Sequence, residues 1–255
     1  MKILVVGDSC TDVFIYGKVT RLTPEAPVPV FNPVEEKIND GMARNVSNNV
    51  EALDSTIYTI TNKNSIRKVR YVDDKSNQLV LRVDEHDYCD RIDKELIDSI
   101  RGNECKPVMS EVTKVDAIII SDYDKGFLHK DDIATICSNN KNVFVDTKKK
   151  IDNWITDVDF LKINDLEYEQ NKKFFKNNNS VFQKTIITRG RRGCEFQGQV
   201  YATEDVPVKD ISGAGDTFLA GLVVEYVRTS DIKKAIKFAQ DCTKIVVQKH
   251  GVSTV

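Results

Sequence analysis

The sequence contains little histidine and no cysteine arrangement of the kind that binds metal. Its three histidines stand apart, and its six cysteines form no C-x-x-C pair or other metal-ligand spacing. These absences argue against a structural zinc site. Scattered cysteines without a pairing pattern are typical of reduced thiols in a cytosolic protein.

The chain also lacks a marked excess of charge and any long hydrophobic run. Its formal net charge is −2, and its longest basic tract, DTKKK at 146–150, is short. Neither feature gives an electrostatic reason to expect nucleic acid or an anionic membrane as a partner. No apolar stretch approaches membrane-spanning length, and MKILVVGD at the start turns polar too soon for a signal peptide. We therefore expect a cytoplasmic protein.

What the chain does contain is an alternation of strand-like and helix-like segments. KILVVGD at 2–8 and four further apolar runs end in polar or turn residues, as strands covered on both faces do: VDAIIISD, NVFVDT, VDFLKIN and KTIITRG. Residues 216–228 and 231–249 predict helices. Alternating residues in VRYV and QLVLRVDEH predict a hairpin with one solvated face. We predict one α/β domain over 1–255 with a small β lid from about 13–31 and 66–86, and a surface loop at 171–180.

The segment DISGAGDTF at 210–218 places two glycines directly before a carboxylate and a predicted helix. Gly213, Ala214 and Gly215 would let backbone N–H groups converge beside the positive end of the helix dipole, which suits an anion hole for a transferred phosphoryl group. Asp216 is then suited to accept a proton from a substrate hydroxyl. A plain glycine turn with Asp216 as helix N-cap explains the same residues, and the segment alone leaves both interpretations open.

Further motifs resemble those of the ribokinase-like (PfkB) carbohydrate kinases. The pattern D-x-x-G-A-G-D ending at Asp216 is similar to the signature of that family. GDSCTD at 7–12 resembles its first strand end, whose second aspartate binds sugar hydroxyls. GMARN at 41–45 resembles its sugar-binding G-G-x-x-N turn. NDLE at 164–167 is similar to its N-x-x-E motif for magnesium and phosphate, and TRGRRG at 188–193 to the turn along the nucleotide.

One branch of the family, the heptose 7-phosphate kinases, matches further. YGKVTRLTPEAPVPVF at 16–31 is similar to a long segment of that branch, and so are NQLVLRVD at 77–84, SDYDKG at 121–126 and HGVSTV at 250–255. The resemblance implies a ribokinase-like three-layer α/β/α fold with a mostly parallel central sheet. It also implies an ATP-dependent carbohydrate kinase that phosphorylates a hydroxyl of a phosphorylated sugar. The first choice is heptose 7-phosphate converted to heptose 1,7-bisphosphate, for lipopolysaccharide biosynthesis.

The resemblance further implies cofactors, partners and site residues. Magnesium and a monovalent cation are the implied cofactors besides ATP, and a homodimer formed through the β lid is the implied assembly. The implied sugar-binding residues are Asp12, Gly41, Asn45, Arg21, Arg70 and Arg82. The implied residues for ATP and magnesium-bound phosphate are Asn164, Glu167, Thr188, Gly190, Gly193, Lys125, Lys148 and Asp210, with Glu167 acting on the metal through water.

Simpler roles remain open for several of these side chains. Asp12 could be a turn residue, Asn45 a helix cap, and Lys125 and Lys148 ordinary surface lysines. Arg70 and Arg82 could bind a sugar phosphate through two hydrogen bonds each, or could pair with carboxylates such as Asp84.

The sequence also departs from the family pattern. Met42 replaces a glycine and Arg44 a small residue in the sugar turn. We expect the chain to lack two helical stretches of the family pattern, one after STIYTITN and one after NDLEYEQ. Nothing follows Val255, so we expect the often-fused nucleotidyltransferase domain to be missing. Two alternatives stay open: a kinase of the same fold acting on another sugar or nucleoside, and a non-catalytic sugar- or nucleotide-binding relative.

Overall fold

The computed structural model describes residues 1–105 and 113–255. The strands found there are β1 (Lys2–Gly7), β2 (Ser9–Leu22), β3 (Pro29–Met42), β4 (Thr56–Thr61), β5 (Arg67–Asp73), β6 (Leu79–Glu85), β7 (Ile100–Arg101), β8 (Glu104–Cys105), β9 (Thr113–Lys114), β10 (Ala117–Asp122), β11 (Val143–Thr147), β12 (Phe160–Asn164), β13 (Thr185–Thr188), β14 (Cys194–Phe196) and β15 (Gln199–Tyr201). The α-helices are α1 (Ala43–Ala52), α2 (Lys94–Asp98), α3 (Lys130–Asn139), α4 (Asp165–Asn177), α5 (Asn179–Phe182), α6 (Ala214–Thr229) and α7 (Ile232–Val246).

The central sheet has the order β15-β14-β13-β12-β11-β10-β1-β4. Neighbouring strands from β4 to β13 are parallel, and β14 and β15 add an antiparallel hairpin at one edge. Strand β10 shows why the sheet is covered on both sides. Ile118 and Ile120 pack into one hydrophobic cluster, and Ala117 and Ile119 pack into the other. The apolar runs therefore form the predicted mostly parallel sheet, and the three-layer α/β/α prediction is confirmed.

The helices form the two outer layers. Helices α1, α6 and α7 cover one face through residues such as Val46, Leu219 and Ile236, and α3 and α4 cover the other through Ile133 and Phe175. The two predicted C-terminal helices correspond to α6 and α7. In the described ranges, none of the helices is both long and apolar enough to cross a membrane.

A separate sheet of order β3-β2-β5-β6 forms the β lid. Strands β5 and β6 are the predicted hairpin, paired antiparallel from Arg67↔Glu85 onward. The lid boundaries expected from the sequence were too narrow, because β3 continues to Met42 and pairs with β2 along almost its whole length. The segment NPVEEKIND is charged and contains a proline, so its own residues do not favour a strand. Pairing with β2 holds it extended.

The prediction of a surface loop at 171–180 is wrong, and so is the expectation that no helix follows NDLEYEQ. Helix α4 runs from Asp165 to Asn177 through most of that segment. Two of its residues anchor it to the rest of the domain: the Asn171 side chain accepts a hydrogen bond from Ile151 N–H, and Phe175 is buried in the hydrophobic cluster on that side of the sheet. The segment is mostly polar and only these two of its residues are buried, so its composition resembled that of a surface loop. The other expected omission is confirmed, since β4 ends at Thr61 and β5 begins at Arg67.

Candidate active site

The DISGAGDTF segment forms the turn into helix α6, as its glycines predict. Gly213 has φ 78°, a left-handed conformation that side-chain-bearing residues rarely adopt, and a Cβ there would lie 2.7 Å from Asn45 Nδ2. The N–H of Ala214 donates to the Ile211 carbonyl at 3.2 Å. Among the described residues, the N–H groups of Gly213, Gly215 and Asp216 have no acceptor. Free N–H groups at the helix N-terminus are what an anion hole needs.

Asp216 is buried beneath this turn and is held by two hydrogen bonds. Asn45 Nδ2 donates to Oδ2 at 2.8 Å, and the Tyr123 hydroxyl donates to Oδ1 at 2.6 Å. Burial raises the pKa of the Asp216 carboxyl, while the bonds from Asn45 and Tyr123 act in the opposite direction. Asp216 does not cap the helix, because its carboxylate receives bonds from other elements instead of from the first turn of α6. This environment suits a proton acceptor more than a cap.

Asp210, at the other end of the same segment, binds the backbone. Its Oδ1 accepts from Ser212 N–H at 2.8 Å, and its Oδ2 accepts from Gly251 N–H at 3.1 Å. Asp210 thus ties the anion-hole turn to the C-terminal segment HGVSTV. Its predicted contact with ATP phosphate stays a prediction.

Four of the six residues expected to bind sugar lie where the lid meets α1: Asp12, Gly41, Asn45 and Arg70. Asp12 on β2 is buried and forms an ion pair with Arg70 on β5. Gly41 on β3 is packed so closely against Asp12 that a Cβ would overlap its carboxylate. Asn45 lies inside α1, two residues past its start, so it is not the helix cap. Its side chain instead donates to Asp216 and so connects α1 to the start of α6.

The remaining lid arginines differ in their surroundings. Arg82 on β6 lies directly opposite Arg70 in the hairpin register. Its guanidinium binds Asp84, two residues along the same strand, through two hydrogen bonds of 2.7 and 2.8 Å. Arg21 is exposed near the end of β2 and has no ion pair with any described residue.

A cleft of about 760 Å³ extends from the anion-hole turn past the ends of β12 and β13 to helix α7. Five of the residues expected to contact ATP or its phosphates line it: Lys148, Asn164, Thr188, Gly190 and Gly193. Gly215 and Phe218 form its wall on the α6 side, and Leu166, Val206 and Ile211 add apolar surface. The cleft therefore joins the free N–H groups to a partly apolar pocket of the size a nucleotide needs.

Charged side chains form a continuous chain at the inner end of this cleft. Asn164 and Glu167 make a capping box at the start of α4, with reciprocal bonds of 2.9 and 2.8 Å. Lys148 donates to Glu167 Oε1 at 2.5 Å and lies 3.5 Å from Asp146. Buried Lys162 donates to the other oxygen of Asp146. Burial lowers the pKa of Lys148, but the carboxylates of Asp146 and Glu167 raise it by more, so this lysine stays charged.

Sequence reasoning missed three residues of the site: Tyr123, Asp146 and Lys162. A charged residue inside the apolar strand FLKIN was a usable signal for Lys162, since a buried lysine needs a partner. Asp146 is the second-last residue of strand β11, near the carboxyl end at which parallel strands place ligand-binding groups. Tyr123 lies within the matched SDYDKG segment, but nothing local indicated its contact. Of the predicted lysines, Lys125 donates to Asp87 at 2.5 Å and is not among the residues that line the cleft.

The donor set also bears on metal binding. Within residues 1–105 and 113–255, no three His, Cys, Asp or Glu side chains cluster closely enough to hold a metal ion by themselves. Magnesium keeps several waters and is commonly held by one or two carboxylates together with substrate phosphates. The Glu167 carboxylate, which is bonded to the cleft residue Lys148, is compatible with that mode.

Comparisons with known proteins identify the family of this chain. The family model described as "pfkB family carbohydrate kinase" matches residues 103–255. The bifunctional protein HldE of Helicobacter pylori strain J99 is 29% identical over 293 aligned residues, covering 98% of this chain and 63% of the relative. The chain thus spans somewhat less than two thirds of the length of this curated relative.

Solved structures share the fold at low sequence identity. Ribokinase from Thermotoga maritima has a TM-score of 0.71 at 16% identity, with 98% of this chain and 94% of that chain covered. Arabidopsis thaliana ribokinase, solved in complex with ribose and ATP, has a TM-score of 0.66 at 14% identity, with 98% and 93% covered. The match of the family model, together with the Asp216 site and the three-layer fold, leads to one conclusion: this chain belongs to the pfkB family of carbohydrate kinases.

Proposed function

We propose that this carbohydrate kinase transfers the γ-phosphoryl group of ATP to the anomeric hydroxyl of a phosphorylated sugar, with heptose 7-phosphate as the first choice. The HldE relatives, which combine a heptose 7-phosphate kinase with a heptose 1-phosphate adenylyltransferase, support the sugar. The observation that carries a phosphorylated substrate is a row of cations on the lid.

That cation row follows from the strand register. Lys37, Phe14, Arg70 and Arg82 lie side by side across β3, β2, β5 and β6. Like charges directly opposite each other destabilise a sheet, so Arg70 facing Arg82 is costly unless anions offset the charge. Asp12 and Asp84 offset part of it. A bound phosphate would offset the rest, because the planar guanidinium groups bind phosphate through paired hydrogen bonds.

The cation row also lies at the end of the site where the phosphate of the sugar is expected. Asp12 occupies the adjacent row, with Asn39, Lys68 and Asp84. Two residues along a strand advance about 7 Å, so the arginine row lies that much farther from the central sheet than Asp12 does. A sugar whose middle hydroxyls bind Asp12 would therefore direct one end toward Asp216 and its phosphate toward the arginines.

The transfer step assigns each proton and bond. Asp216 accepts the proton of the attacking hydroxyl, whose oxygen forms a bond to the γ-phosphorus as the bond to the bridging oxygen of ADP breaks. The free N–H groups of Gly213 and Gly215 stabilise the charge on the transferred group. Magnesium, when bound through water near Glu167 and Asn164, would neutralise phosphate charge. The implied monovalent cation stays a prediction.

A homodimer through the lid is part of the proposal. The second face of the lid carries an apolar row, Ile38, Val13, Val69 and Val83, and its edge members Ile38 and Val83 are 62% and 36% exposed. The open strand edges and this apolar surface would both be covered by a second copy.

The test is ATP consumption on the same sugar with and without its phosphate. We expect the phosphorylated sugar to be strongly preferred, and Arg82→Ala to raise its KM about ten- to hundredfold while leaving the KM for ATP unchanged. Arg67→Ala is the matched control, because Arg67 lies on the adjacent strand in an ion pair with Glu85 but on the opposite face. Equal use of both sugars by the wild-type protein would leave only a kinase of another sugar or nucleoside. No turnover with any sugar would favour the non-catalytic relative.

A further inference from the structure

Tyr123 lies in the loop between β10 and α3, and a buried carboxylate fixes this loop in place. Asp8 follows β1 and is fully buried. It accepts hydrogen bonds from three backbone N–H groups of the loop, those of Tyr123 at 2.6 Å, Lys125 at 3.4 Å and Phe127 at 3.2 Å. A carboxylate with several backbone donors is a rigid anchor. The backbone that carries Tyr123 is therefore held against the core.

The Tyr123 hydroxyl is hydrogen-bonded to Asp216, the proposed base. It donates to Asp216 Oδ1 at 2.6 Å, while Asn45 donates to the other carboxylate oxygen. Each oxygen thus has one fixed donor, which sets the rotation of the carboxylate and the direction of its remaining lone pairs. Burial and the neighbouring Asp216 raise the pKa of Tyr123, so the phenol keeps the proton that it donates.

The Tyr123 ring connects the two halves of the site. Lys68 Nζ, from lid strand β5, lies 5.2 Å from the ring centroid, and Lys148 Nζ, from the nucleotide cleft, lies 5.5 Å from it. Both distances are within the range of cation–π attraction. Tyr123 therefore contacts a lid residue, a cleft residue and the base at once.

We infer that Tyr123 is the positioning residue of the base, aiming the Asp216 carboxylate at the acceptor hydroxyl and holding it ionised. This inference rests on the proposed role of Asp216 in phosphoryl transfer. It does not depend on which sugar is used, since the same contact serves any acceptor.

Other charged or titratable groups also face Asp216, and none of them makes this contact. Lys162 on β12 lowers the pKa of the Asp216 carboxyl, and Asp146 on β11 raises it. Burial raises the pKa of the Cys10 thiol on β2 to about 12, and the nearby Asp216 charge acts in the same direction. The Cys10 thiol therefore stays protonated. Asn45 is the other direct donor, but it also lies on the sugar side. Tyr123→Phe is therefore the cleaner perturbation.

The experiment is the pH dependence of kcat for Tyr123→Phe, measured with any acceptor that the wild-type protein phosphorylates. A base works only when ionised, so activity falls as the pH drops through its pKa. Loss of the bond to the charged form should raise that pKa, moving the acid limb upward by on the order of one pH unit. We expect kcat at the plateau to fall about tenfold or more, with the KM for ATP within about twofold.

A second substitution tests the opposite sign. With 3-fluorotyrosine at position 123, the more acidic phenol donates a stronger bond, and the acid limb should move downward. Tyr226→Phe is the matched control, because Tyr226 packs against Phe144 and Phe160 in the core, and it should leave the limb unchanged. An unchanged acid limb in both position-123 variants would overturn the inference, even if kcat fell. Failure of heptose 7-phosphate as a substrate would be seen separately, in the wild-type protein.

Discussion

Replacing Asp216 with asparagine separates its chemical role from its structural one. The amide has nearly the shape of the carboxylate but cannot accept a proton as a base. In the structure, its oxygen can still accept from Asn45 Nδ2, and its new NH2 group can donate to the Tyr123 hydroxyl oxygen, because a phenol both donates and accepts. Both hydrogen bonds can therefore be kept, with the donor and acceptor exchanged in the bond to Tyr123. The fold around the site should therefore be retained.

The expected loss of activity follows from the removal of a general base. Such groups contribute about 10²- to 10⁴-fold to the rate, which corresponds to roughly 3–5.5 kcal/mol of activation free energy. The Kd for ATP should change little, since the N–H groups of Gly213 and Gly215 come from the backbone. An ADP-release assay measures kcat, and calorimetry measures the ATP affinity.

Stability supplies the internal control for Asp216→Asn. Burial raises the pKa of Asp216 in the folded protein above its value in the unfolded chain. Between these two pKa values the folded protein binds more protons, so the stability of the wild-type protein falls as the pH rises from the lower value to the higher one. The neutral amide removes this cost and loses the charged hydrogen bonds. The free energy of unfolding at pH 7 should thus change by no more than about 1 kcal/mol. A variant that keeps near wild-type kcat would refute the role of Asp216 as the base.

Two further predictions concern the lid. Gly41→Ala should raise the sugar KM about ten- to hundredfold with the ATP KM unchanged, because the new Cβ would displace the Asp12 carboxylate; an unchanged sugar KM would mean that Asp12 does not bind the sugar. Leu81, which is 54% exposed on the apolar face of the lid, should be part of the dimer surface, so Leu81→Lys should shift sedimentation from dimer to monomer. Wild-type protein that sediments only as a monomer at high concentration would contradict the dimer.

Local patterns were enough to predict most of the central fold. Strand β10 reads AIIISD, and its continuous apolar residues required cover on both faces, which the two hydrophobic clusters provide. The glycines before Asp216 predicted a turn into a helix, and Gly213 has the left-handed conformation that such a turn uses. These properties depend on neighbours in the chain, so the amino-acid sequence determines them by itself.

The partners of the site residues depended on the tertiary structure. Asn45 and Asp216 are 171 residues apart, and Tyr123 and Asp216 are 93 apart, yet each pair is hydrogen-bonded. No local pattern specifies such pairs, because the strand order β11-β10-β1 and the anchoring of the Tyr123 loop by Asp8 bring them together. The same holds for β3, a charged segment that is extended only because β2 pairs with it. The sequence determined which chemical groups are available and where most of the central strands and helices form, whereas long-range packing held β3 extended and decided which groups meet.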